Sequence, residues 1–150
     1  MRAIPRIVVG VDGSPASEQA LQWAVDYAEA VGGTIDAIAA WEYPAFYGWA
    51  GQGVPNLDVV NPEELAGKTL SETVTRVVGS APAVQISERV MPGNAARALL
   101  EAAEGAALLV VGSRGLGGFA GVLLGSVSRH LTEHAPCPVV VVRERHAASE

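Results

Sequence analysis

Ala107-Leu108-Leu109-Val110-Val111-Gly112-Ser113-Arg114-Gly115 sets an unbroken aliphatic run directly against a glycine-spaced loop, and Gly125-Ser126 follows after nine further residues. Such a run fits a short strand covered on both faces, as in a parallel sheet. Glycine at 112 and 115 permits close backbone approach and φ values closed to other residues. Gly125-Ser126-Val127-Ser128 then opens a helical pattern, whose first-turn N–H groups and two hydroxyls can meet phosphate oxygens. In an open α/β sheet, ligands gather where strands end and helices begin. Nucleotide binding is therefore the leading expectation.

The rest of the chain repeats the alternation. Arg6 to Val11 reads as a short buried strand, closed by the turn signal Asp12-Gly13-Ser14-Pro15. Ser14 suits an N-cap with proline at the first helical position, and Ala20, Leu21, Ala24, Ala28 and Val31 share one face before Gly32-Gly33 stops the helix. Thr34 to Trp41 is a second strand. A second helix is expected from Pro62 to about Val78 with Asn61 as its cap, and a third strand from Val84 to Val90. Gly93-Asn94 opens a third helix on Ala95, Ala96, Leu99, Leu100 and Ala103. Ala107 to Val111 is the fourth strand, Ser126 to His134 the fourth helix and Pro138 to Val142 the fifth strand.

Strands joined by crossovers of a dozen or more residues, right-handed by rule, give a single open, doubly wound α/β sheet. The expected order is the flavodoxin-like 3-2-1-4-5, five parallel strands with helices on both faces. Strands one and four then meet where the winding reverses, so the loops at Asp12 and Gly112 share one crevice. Asp12 can accept hydrogen bonds from ribose hydroxyls there. Its bland alternative is to cap its own Asx-turn, and the glycines could simply end a strand.

Composition narrows the function. At 150 residues, 49% of them apolar and 17% charged, the chain is expected to form one globular domain over 1–150, with a disordered tail from 144 to 150. A formal charge of -6 argues against a broad basic surface for nucleic acid or anionic lipid. No apolar run approaches the ~20 residues of a membrane span, and nothing at the N-terminus reads as a signal peptide. The single cysteine, Cys137, forms no intrachain disulfide and reads as a small buried hydrophobe at a strand start. A cytoplasmic location is expected.

Several motifs dissolve on inspection. Gly115-Leu116-Gly117-Gly118-Phe119-Ala120 matches the dinucleotide fingerprint, but it follows the fourth strand, with only one strand and no acidic ribose ligand after it. Gly67-Lys68-Thr69 copies the tail of a P-loop inside a helical stretch. No nucleophile elbow surrounds Ser113 or Ser126. His130 and His134 are spaced to share one helix face, yet no third ligand stands at metal-binding spacing, so no metal site is expected and they read as surface or interface histidines. Arg114 could neutralise phosphate or be solvated. The segment from Trp41 to Asn61, rich in aromatics, proline and glycine, is a long loop that either covers a sheet edge or subunit contact or serves as a ligand lid.

On these residues the chain resembles the universal stress protein family, specifically its ATP-binding branch, over essentially its whole length. The family's motif of glycine, two residues, glycine, nine residues, glycine and Ser or Thr is met without gaps by Gly112, Gly115, Gly125 and Ser126. The resemblance implies a ribose contact at Asp12 and an adenine contact at the backbone near Ala40. It implies phosphate or ribose contacts at Val111, Gly112, Gly115, Gly125, Ser126, Val127 and Ser128. It also implies homodimers, commonly joined through the last strand, here Pro138 to Val142. Ala39 stands where relatives often place a histidine. The expected function is an ATP-binding switch in the stress response, with no catalytic residues assigned, at most slow hydrolysis, and Mg²⁺ held mainly by the phosphates. The alternatives are a cyclic-nucleotide or other adenylate binder, a genuine ATPase, or a ligand-free interaction module.

Overall fold

A computed structural model of the chain describes residues 3–42, 61–79, 82–114 and 125–144. Its elements alternate as β1 (Arg6–Gly10), α1 (Pro15–Val31), β2 (Thr34–Trp41), α2 (Pro62–Val78), β3 (Ile86–Pro92), α3 (Ala95–Ala102), β4 (Leu108–Gly112), α4 (Ser126–His134) and β5 (Val139–Val142). The sheet is parallel throughout and ordered β3-β2-β1-β4-β5, as expected. The loop after Trp41 lies outside the described residues from 43 to 60, as does the expected tail beyond Glu144.

The helix signals act as read. The Ser14 side chain accepts a hydrogen bond from Ser17 N at 3.2 Å with Pro15 next in line, and Gly32 closes α1 in the left-handed conformation at φ 72°. Asn61 accepts from the N–H groups of Glu63 and Glu64, and Asn94 from that of Arg97. Strand ends shift by one or two residues for identifiable reasons. Pro138 has no N–H to give, and only its carbonyl joins the ladder, accepting from Leu109 N, so β5 begins at Val139. β4 runs on through Gly112, whose partner is Val142. β3 starts two residues later than expected because its pairing with β2 begins at Ile86 opposite Ile35, and it extends to Pro92 opposite Trp41.

Alternate residues of each strand feed two cores. Ile7, Val9, Ile35, Ala37, Leu108 and Val110 pack with Leu21 of α1 and Leu70 of α2. Val8, Ile38, Leu109 and Val111 pack with Leu99 of α3 and Leu131 of α4. Each large aliphatic side chain buried this way contributes about 1.5–3 kcal/mol, which is why the strands need apolar residues at successive positions.

Among the described residues one charge enters this interior. Asp36 of β2, 7% exposed, accepts hydrogen bonds from Arg6 Nη1 at 3.1 Å, Arg89 Nε at 3.3 Å and Arg89 Nη2 at 3.1 Å. Arg6 also donates to the carbonyls of Ala102 and Glu104 at the end of α3. A buried carboxylate is tolerable only when it is paired in this way, and the arrangement ties three neighbouring strands to one helix. Among the described residues, no helix is long and apolar enough to cross a membrane.

Candidate nucleotide-binding site

The reversal point of the sheet brings the β1–α1 turn against the end of β4. Val9 pairs with Val110, and beyond that level Gly112 sits so close to the first turn of α1 that a Cβ on it would lie 2.7 Å from Ala16 Cβ and 2.8 Å from the Ala16 carbonyl carbon. Glycine at 112 is thus required by helix packing, whatever else it does. Gly13, at φ 85°, makes the turn that carries the chain from β1 into α1.

Asp12 is exposed in this turn, and its Oδ1 accepts from Ser14 N at 2.9 Å. The Asx-turn considered as its bland alternative is therefore formed. Ser17 stiffens the turn further: its hydroxyl donates to Ser14 O at 3.0 Å and accepts from Asp12 N at 3.3 Å. Ala40 lies in β2, half-buried, opposite Met91 of β3 and near the same end of the sheet. Val111 and Gly112 are the last two residues of β4. Gly115 lies outside the described residues, as does the fingerprint look-alike from Gly115 to Ala120.

Gly125, Ser126, Val127 and Ser128 form the N-terminus of α4. Gly125 occupies the N-cap with φ -71° and ψ 168°, close to the values of the capping residues Ser14 (-75°, 157°) and Asn94 (-73°, 156°). The other three helices each receive a side-chain cap, and α4 receives none. Ser126 is exposed, Val127 packs on the α3/α4 core, and Ser128 is buried with its hydroxyl donating to Gly112 O at 2.6 Å. Asp12, Ala40, Val111, Gly112 and the start of α4 therefore share the carboxyl-end edge of the sheet, around β1 and β4.

Two residues escaped the sequence reading. Ser113, 4% exposed, donates its N–H to Val142 O at 2.8 Å and accepts from Gly125 N at 2.7 Å through its carbonyl, so it fastens both ends of the glycine loop. Glu144 stands 3.7 Å from the Arg114 guanidinium, an ion pair that the sequence reading, which weighed only a phosphate partner or a solvated side chain, did not contain. Neither has a signal in sequence, because both contacts join segments that only the finished sheet brings together. Elsewhere Lys68 is exposed within α2, as expected. Cys137 is half-buried where a buried residue was expected and lies two residues before β5, and burial pushes its thiol up, which Arg6 only partly offsets.

Residues 3–143 match the family model described as the universal stress protein family. The chain belongs to the universal stress protein family. A universal stress protein of Mycobacterium tuberculosis (strain H37Rv) is 38% identical over 138 residues, which cover 92% of this chain and 45% of the relative. One from Mycolicibacterium smegmatis is 38% identical over 144 residues, 93% of this chain and 46% of the relative. The chain thus spans about half the length of the curated relatives it matches. Among solved structures, the universal stress protein UspA from Lactobacillus plantarum superposes with a TM-score of 0.73 at 25% identity, covering 95% of this chain and all of its own. A universal stress protein described as a complex with cAMP superposes with a TM-score of 0.66 at 26% identity, covering 96% of this chain and all of its own.

Proposed function

We propose that this universal stress protein domain binds ATP at the carboxyl edge of its sheet and works as a cytoplasmic nucleotide-responsive switch in the stress response, hydrolysing ATP slowly or not at all. The observation that carries the reading is Gly125, which has the backbone of an N-cap and no side chain to cap with. Among the described residues no side chain caps the first turn of α4, and the helix dipole favours an anion there. In this reading Ser126, Val127 and Ser128 offer N–H groups to phosphate beside Val111, Gly112 and Gly115, while Asp12 accepts from the ribose and the backbone near Ala40 meets adenine. Mg²⁺ is held chiefly by the phosphate oxygens.

A cyclic-nucleotide preference is the second reading, favoured by the relative described as a cAMP complex. Mass spectrometry of nucleotide released from the purified protein, followed by calorimetry of the stripped protein with ATP and cAMP, decides between them. Released ATP and tighter ATP binding support the proposal. Tighter cAMP binding favours the second reading, and the absence of both released nucleotide and measurable heat would mark an interaction module.

We further propose that the domain dimerises through β5. Val139, Val140, Val141 and Val142 are each half-buried on the last strand of the sheet, with no charge, bulge or internal proline to protect that edge. Pairing with a second copy about a two-fold axis would satisfy both edges.

A further inference from the structure

His130 and His134 lie one turn apart on α4, both exposed, with ring centroids 4.4 Å apart and planes tilted by 41°. Among the described residues neither imidazole has a hydrogen-bond or ion-pair partner, and their contact is with each other. Two imidazole nitrogens that share one metal at about 2.0–2.1 Å, with an angle near tetrahedral or square, bring their ring centroids to roughly 4.5–5.2 Å. The observed centroid separation of 4.4 Å lies just below that range, and the i, i+4 spacing sets both rings on one face of the helix.

We propose that His130 and His134 form a two-imidazole chelate for a divalent transition ion of the Ni²⁺, Cu²⁺ and Zn²⁺ class. No group of three or more ligating side chains exists among the described residues, so water completes the coordination shell. Nitrogen-only ligation selects these borderline ions over Mg²⁺ and Ca²⁺, which take oxygen. The pair sits in the middle and at the end of α4, outside the Ser126–Ser128 turn proposed for phosphate.

The test uses Ni²⁺, which avoids copper-driven oxidation of Cys137. Calorimetry at pH 7.5 on the intact protein, His130→Ala and His134→Ala is paired with thermal melting to show that all three fold. The expected result is one saturable Ni²⁺ per chain, weakened in both variants by about tenfold or more, the scale on which even an outer-shell partner matters to a metal site. A rise in melting temperature with Ni²⁺ should appear only in the parent protein. Equal binding by all three proteins, loss in only one variant, or no saturable binding by the parent would overturn the chelate.

Discussion

The Ser128 hydroxyl donates to the Gly112 carbonyl across 2.6 Å, fastening the first turn of α4 to the last residue of β4. The glycine loop leaves one of these residues' elements and enters the other's, so this bond fixes the span the loop must bridge. Ser128→Ala should lower stability by about 1 kcal/mol, rising toward 3 kcal/mol if the carbonyl is left without a partner. Urea unfolding monitored by far-UV circular dichroism measures it, and an unchanged midpoint would remove the bond from the stability account.

Gly112→Ala should cost more. The added methyl would meet both the side chain and the backbone of Ala16 below 3 Å, and backbone cannot move aside as a flexible side chain can. Overpacking of this kind costs about 1–3 kcal/mol. The loss should appear in ligand-free protein, which separates it from any effect on nucleotide.

Gly125→Asp should move stability and binding in opposite directions. The backbone at 125 already has capping geometry, and glycine is itself a fair N-cap, so an aspartate there should stabilise α4 by about a few tenths of a kcal/mol. The same carboxylate would occupy the N–H groups proposed for phosphate and repel it. A higher melting temperature together with lost ATP binding is the expected pair of outcomes, and ATP affinity equal to the parent's would detach the α4 N-terminus from the ligand.

Helix boundaries were the most legible part of the chain. The spans of α1, α2 and α4 follow from Ser14-Pro15, Asn61-Pro62 and Gly125-Ser126, where a cap and a first turn are adjacent in sequence. Strand order was legible because parallel strands and right-handed crossovers leave few arrangements. Strand ends were less so, since Ile86 and Gly112 owe their status to partners on other strands. The edge shared by the site residues could be read from strand order. The contacts within it could not: Ala16 against Gly112, Ser113 to Val142 and Gly125, and Glu144 beside Arg114 all link distant segments. The buried Asp36 was missed for a related reason. Its partners Arg6 and Arg89 lie 30 and 53 residues away and meet it only across the sheet.

Asp12→Ala tests the sugar side of the proposed site. If Asp12 reads ribose, ATP should weaken by about 1.5–3 kcal/mol, or roughly one to two decades, while tripolyphosphate weakens less. Equal losses for the two ligands in calorimetry would mean that Asp12 serves the site only by holding the turn through Ser14 N.

Charged substitutions in β5 test the dimer. Val140 and Val142 pack toward the α1/α2 core, and Val139 and Val141 toward the α3/α4 core. Val140→Lys and Val141→Lys should each give monomers or precipitate in place of a soluble dimer. Sedimentation at several concentrations reads the outcome, and a monomeric parent protein, or a dimer indifferent to either folded variant, would move the interface off this strand.

The close approach of Ala16 to Gly112 carries a lesson about inheritance within a single motif. A descendant that had abandoned its ligand would be free to replace Gly125, whose φ of -71° suits any amino acid. It could not discard Gly112 without pushing away a helix. The two glycines, spelled alike, would therefore decay at different speeds, one answering to the crevice and the other to the architecture.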